Sequence, residues 1–269
     1  MSNSPPLLPA SGLAGFADLD AEGDASPYIS FLDGFQQRFA DMIETGIDQL
    51  RIPEGGAVLD VGCGHGAAFS RLAARTGPAG RICGIDASHA LIDEARRRLP
   101  DGAPAIELQV GDAHTLPYPD ATFDAVRADR VLVFLRDPRT ALTELRRVCK
   151  PRGRLVVTEG DIGSAVVDAA DIATTRAMLA AACDAIPQGW IGRRLRGLFL
   201  ACGVQTVEVR MFNLQSTSFD EWSRRIGIEP VVRRAGSDAA RAWLDDLRER
   251  DAAGRFYAAG SFFMASGTV

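Results

Sequence analysis

The chain has 269 residues, 46% of them hydrophobic and 24% charged, with a formal net charge of −5. That balance describes a globular α/β domain of ordinary core size with added segments, and its acidity argues against a basic nucleic-acid groove. No apolar run approaches a bilayer-spanning length, the N-terminus lacks a basic region followed by an apolar core, and the five cysteines show no C-x-x-C spacing. A membrane span, a secretory signal, a disulfide frame and a zinc site are therefore not expected, and a cytoplasmic location is.

In chain order, residues 1–27 are rich in Pro, Gly, Ser and Asp and predict a flexible leader. Phe31, Leu32, Phe35, Phe39, Met42, Ile43, Ile47 and Leu50 then recur at three- and four-residue steps, the pattern of amphipathic helices over 28–52. An apolar strand over 57–61 breaks into the alternating Gly62, Gly64 and Gly66, and a helix-like segment follows. Glycines at such a junction bring a ligand close to the backbone, with the first N–H groups of the helix free to donate to it. Gly62-x-Gly64-x-x-Ala67 also satisfies the relaxed dinucleotide fingerprint. Asp60 discriminates, because a carboxylate at that strand end repels a pyrophosphate and attracts a cation.

A second strand over 81–86 ends on Asp86, about 20 residues beyond the third glycine, where an acid can accept both hydroxyls of a ribose. Ala87 and Ser88 open the next helix, with Ser88 as its cap. A third strand over 106–110 leads into Gly111-Asp112-Ala113-His114, and a fourth over 123–128 delivers Asp129 and Arg130 to the same rim. A helix over 139–149, a turn containing Pro151 and Gly153, and a strand over 154–159 follow. Beyond Glu159 the reading is coarser: helices over 161–186 and 190–202, a strand over 204–210, helical stretches over 211–250 and a last strand over 255–266.

The run Val58-Leu59-Asp60-Val61-Gly62-Cys63-Gly64-His65-Gly66 resembles motif I of the class I S-adenosylmethionine (SAM)-dependent methyltransferases. Residues 123–159 resemble the small-molecule branch that includes the ubiquinone and menaquinone biosynthesis enzymes. The resemblance implies a Rossmann-like, seven-stranded, mostly parallel sheet with helices on both faces and an antiparallel last strand. It also implies one domain over 28–269, with lid helices over 28–52, a SAM-binding core over 53–160 and a substrate cap with the C-terminal strands over 161–269. SAM is the implied cofactor, held by Asp60, Gly62, Gly64, Gly66, Asp86, Ala87, Asp112, Ala113 and Asp129, with Tyr28, Phe31 and Arg38 as lid candidates. Asp112 is assigned to the adenine amine and Ala113 to a backbone contact.

Many relatives carry Gln-His where this chain has Val133-Phe134. No histidine base comes from that position, and Phe134 is expected as an apolar substrate wall. Glu159, Asp161 and His114 are the candidate catalytic residues; His65 and His89 are weaker ones. Trp190, Phe212, Phe219, Trp222, Trp243, Phe256 and Tyr257 are expected to supply an acceptor pocket. The expected activity is methyl transfer to O, N or C of a small, largely apolar metabolite, in natural-product or quinone biosynthesis. Two rivals stay in view: a nicotinamide oxidoreductase, and a SAM-binding protein of the same fold that rearranges its substrate or regulates. A homodimer is left open.

Overall fold

In the computed structural model, which describes residues 12–99 and 105–269, strands β1 (Ala57–Val61), β2 (Arg81–Asp86), β3 (Ala105–Val110), β4 (Phe123–Asp129), β5 (Cys149–Val167), β6 (Gln205–Ser216) and β7 (Ala258–Thr268) form one sheet. Their order is β3-β2-β1-β4-β5-β7-β6. Strands β1 to β5 pair in parallel, and β7 runs antiparallel to both β5 and β6. The strand order reverses between β1 and β4, which opens a crevice at the carboxyl ends of those strands.

Period-two alternation explains why both faces are covered. Leu59, Val61, Cys83, Ile85, Val126 and Val157 feed one apolar cluster, while their neighbours Val58, Ile82, Ala125 and Val156 feed another. Crossover helices α3 (Phe69–Thr76), α4 (His89–Arg97) and α5 (Pro138–Val148) return the chain between successive strands. Their starts are chemically specified: the Ser88 hydroxyl accepts from the Leu91 N–H, and the Asp137 carboxylate accepts from the Arg139 and Thr140 N–H groups ahead of a first-turn proline.

Three expectations change. The described part of the expected leader is ordered: Gly12–Glu22 is a 3-10 helix kinked at Asp18, with Leu19 buried. Asp20 ties it down by accepting from the Ser88 hydroxyl at 2.6 Å and from the His89 and Ala90 N–H groups. Composition missed this because one acid capping a distant helix leaves no periodic trace; residues 1–11 lie outside the described residues. Strand β6 runs on to Ser216, into a stretch expected to be helical. It is an edge strand with Val209 and Met211 exposed, so its side chains alternate too weakly to read as a strand.

The third change concerns the aromatics. Helices α8 (Phe219–Ile226), α9 (Ile228–Ala235) and α10 (Asp238–Ala252) pack with α6 (Ile172–Asp184) around Phe219, Trp222, Trp243 and Phe256. These short amphipathic helices bury their stripes on one another. The four rings are therefore core of the cap and do not face the crevice. Trp190 and Tyr257 are exposed, and Phe212, in β6, packs against the apolar cluster that contains Phe35 and Phe262.

Candidate functional site

The crevice holds a cavity of about 270 Å³. Its floor is made by the strand ends, with Asp60, Asp86, Asp112, Asp129 and Asp161 on the lining; its cover comes from the 3-10 segment and from α1 (Ser26–Arg38), through Phe16, Phe31, Leu32 and Phe35. Helix α2 (Ala40–Gln49) continues the N-terminal stripe onto the sheet.

The glycine loop is shaped by close approach. Gly62 has φ of +66°, and a Cβ there would lie 2.2 Å from Val131 Cγ2, so only glycine fits. Its N–H donates to the Ile85 carbonyl at 2.7 Å, stitching the loop to β2. Asp86 completes the stitch: Oδ2 accepts from the Gly64 N–H at 2.8 Å and Oδ1 from the Ser88 N–H at 3.0 Å. Its acidity is set by burial, which raises the pKa, against those backbone donors, which lower it; burial wins.

Asp60 lies on the lining but its charge is already met. Its Oδ2 accepts from Arg127 Nη1 at 3.0 Å, while Arg127 Nη2 donates to Asp129 at 2.9 Å and Arg130 Nε donates to Asp129 at 3.1 Å. Asp60 is 2% exposed, and burial pushes its carboxyl up to about 6 in spite of Arg127. Two carboxylates and two guanidiniums thus balance. The expectation of a bare anionic cradle at Asp60 is corrected accordingly, since the arginine two residues before Asp129 shares its strand and faces β1.

Glu159 is a positioning group. Its carboxyl is fully buried in β5, one residue past the end of that strand's parallel pairing with β4, and accepts from the N–H groups of Val131 at 3.0 Å, Leu132 at 2.7 Å and Val133 at 3.3 Å, which fixes the short 3-10 turn Leu132–Phe134. Burial raises its pKa to about 8 against those three donors. It does not line the cavity, so this geometry does not present it as a base to a ligand there. Asp161 reaches the lining but is consumed by Arg193, whose Nε and Nη2 donate at 2.8 and 2.5 Å and whose backbone N–H adds a third bond.

His114 pairs with Asp112 at 2.6 Å and lies outside the lining, although Asp112 and Ala113 are on it. Of the lid candidates, Phe31 lines the cavity, whereas Tyr28 is buried behind it, edge-on to Phe16 with centroids 4.8 Å apart. Arg38 points away: it pairs with Glu221 at 3.1 Å and donates to the Gln215 carbonyl at 3.0 Å. Gly62, Gly64, Ala87 and Phe134 are all on the lining; Gly66 is not.

Contacts that leave no signal in the sequence close the site. His65, 2% exposed, bonds through Nε2 to Asp33 of α1 at 2.8 Å, and Asp33 also takes Arg98 Nη1 at 2.8 Å. Burial lowers the His65 pKa, so at neutral pH the imidazole is a neutral latch between the glycine loop and the cover. Leu13, Phe16 and Phe35 complete that cover. Among the described residues no group of three or more His, Cys, Asp or Glu could hold a metal ion, and no helix is long and apolar enough to cross a membrane.

Sheet order, glycine loop and strand-end acids together define the Rossmann-like class of SAM-dependent methyltransferase folds. The comparisons agree: residues 59–157 match the family model described as a methyltransferase domain. The chain is 37% identical over 225 residues to an uncharacterized 37.1 kDa protein in transposon TN4556 from Streptomyces fradiae, covering 81% of this chain and 64% of that one. It is 42% identical over 102 residues to demethylmenaquinone methyltransferase of Thermotoga maritima, covering 38% of this chain and 42% of that enzyme. The chain thus spans less than two thirds of the length of these curated relatives. In fold it is similar to the crystal structure of a putative methyltransferase from Bacillus halodurans, with a TM-score of 0.60 at 17% identity over 84% of this chain and 97% of that one. Residues 59–157 carry a methyltransferase domain, and the chain resembles the class I SAM-dependent methyltransferases, the menaquinone enzymes among them.

Proposed function

We propose that the chain binds SAM in the strand-end cavity and transfers its methyl group to a small, largely apolar acceptor. The observation that carries this reading is Asp86. Its carboxylate ends β2 on the cavity wall and accepts from the backbone N–H groups of Gly64 in the glycine loop and of Ser88, with no cation among its hydrogen-bond partners in the described residues. That is a setting for ribose hydroxyls and a poor one for phosphate. The lining is compatible with the rest of the molecule: Asp112 and Ala113, to which the resemblance assigns the adenine, are on it together with Gly62 and Gly64 of the glycine loop.

SAM, when bound, supplies an electrophilic methyl on a sulfonium, and in-line displacement at that carbon asks mainly for a positioned nucleophile and a dry site. The chain's own residues serve those two needs. Glu159 holds the turn that carries Phe134 into the cavity wall, and Phe16, Phe31 and Phe35 keep water from the cover. Glu159, Asp161 and His114 are each occupied or off the lining, which favours an acceptor whose nucleophile needs no proton removed first. The test is incubation of the protein with methyl-labelled SAM and a panel of small apolar acceptors. Label in a product together with S-adenosylhomocysteine supports the reading. Bound SAM with no S-adenosylhomocysteine across the panel supports the rival, a rearrangement or regulatory role.

A further inference from the structure

Arg130 is a cavity-wall guanidinium whose hydrogen-bonding capacity is mostly unspent among the described residues; Arg225, which pairs with Glu221, is another. It sits just past β4 with φ of +59°, a backbone state that residues with side chains avoid, held by its N–H donating to the Thr158 carbonyl at 2.8 Å. Its guanidinium carbon stacks 3.7 Å from the centre of the Phe35 ring, and Nε is pinned to Asp129. The plane is therefore fixed, the side chain is 15% exposed, and Nη1 and Nη2 have no partner among the described residues.

The neighbours do not offer one. Asp60 and Asp129 share Arg127, Asp161 is taken by Arg193, Asp86 by backbone N–H groups and Asp112 by His114. The same cavity wall carries apolar groups, among them Phe16, Phe31, Phe134, Ile162 and Phe262. A second guanidinium, Arg225, lines the same cavity and lies over Phe39, whose ring packs on Phe35 with centroids 4.4 Å apart. A planar fork of donors held rigid in an apolar wall matches a carboxylate in shape and charge.

We propose that Arg130 is a carboxylate clamp, gripping an acid group on a ligand that is otherwise apolar where it meets this wall. The proposal rests on the reading of the cavity as the site of SAM and acceptor. Two molecules can bring the carboxylate there: SAM, through its amino-acid end, or an acceptor that is itself an acid.

The test titrates the full chain calorimetrically as wild type, Arg130→Gln and Arg130→Asn; asparagine tolerates the left-handed backbone, so it serves where glutamine fails to fold. The probes are S-adenosylhomocysteine, 5′-methylthioadenosine, which lacks the amino-acid end, and decanoate and cinnamate with their primary amides. The clamp predicts at least about tenfold weaker binding of a carboxylate probe in the variants, with methylthioadenosine and the amides unchanged. Loss confined to S-adenosylhomocysteine assigns the carboxylate to the cofactor; loss confined to the acids assigns it to the acceptor. Equal loss for methylthioadenosine or the amides overturns the proposal, as does unchanged S-adenosylhomocysteine binding with no acid affected or bound. If neither adenosine probe binds the wild type, the SAM reading fails, and the acids alone decide the clamp.

Discussion

Replacing Glu159 separates a positioning group from a base. The carboxyl of Glu159 accepts three backbone N–H bonds and has no exposure, so Glu159→Ala strands three buried donors and leaves a void behind the Leu132–Phe134 turn. At about 1–3 kcal/mol for each buried unsatisfied donor, and with relaxation recovering part of it, the expected loss is about 3–5 kcal/mol. Glu159→Gln keeps the oxygen that serves Val131 and Leu132 and places an amide where the weaker Val133 bond was, at a cost of about 1 kcal/mol.

Protonation adds a second signature. The unfolded glutamate ionises near 4.5 and the folded one near about 8, so between these values the native state keeps a proton that the unfolded chain has released. The stabilisation from Glu159 is complete below pH 4.5 and is lost as pH rises toward 8, a change on the order of a few kcal/mol. Urea unfolding of wild type and Glu159→Gln across pH 4.5 to 8 reads both effects, and the glutamine variant lacks the wild-type decline attributable to this group. Full stability in both variants, with turnover abolished in both, would refute the argument and restore Glu159 as a base.

Further outcomes follow from the same geometry. Asp86→Ala is expected to weaken S-adenosylhomocysteine binding by about tenfold or more, on the reading that its carboxylate takes ribose hydroxyls; calorimetry below the melting temperature checks this, and an unchanged Kd contradicts it. Gly62→Ala places a methyl against Val131 and strains φ, so thermal unfolding should show a loss of about 2–4 kcal/mol. Gly62→Ala combined with Val131→Ala should recover the steric share, and a double variant no better than the single one argues against the clash. Asp33→Asn weakens the link from α1 to His65 and Arg98; because Asp33 is partly exposed, global stability should fall by under about 1 kcal/mol. Hydrogen exchange should quicken in α1 and stay unchanged in β1, and exchange in α1 at the same rate in wild type and variant would remove the latch.

What the sequence made legible was local. Strand, glycine loop and helix at 57–76 and the acids at the ends of β1, β2 and β4 follow from periodicity and motif spacing, the antiparallel last strand is what the family resemblance implies, and the sheet order agrees. Where the reading fell short, the deciding partner is distant in sequence. Asp60 looks free until Arg127, 67 residues on, turns toward it. Glu159 resembles a base until the amides of 131–133 close on it. Trp222 and Trp243 look like an acceptor pocket because bulk and helical spacing do not say which surface a helix buries against. Arg130 had been placed on the rim, but its left-handed backbone and its stack on Phe35 have no one-dimensional signal.

The central claim is that the strand-end crevice takes a phosphate-free adenosine ligand through Asp86 and the glycine loop. Parallel calorimetric titrations of the wild-type chain with S-adenosylhomocysteine and with NAD test it most directly. Saturable one-site binding of S-adenosylhomocysteine, lost or strongly weakened in Asp86→Ala, with no heat from NAD, is the result expected. Saturable NAD binding with none of S-adenosylhomocysteine would contradict it.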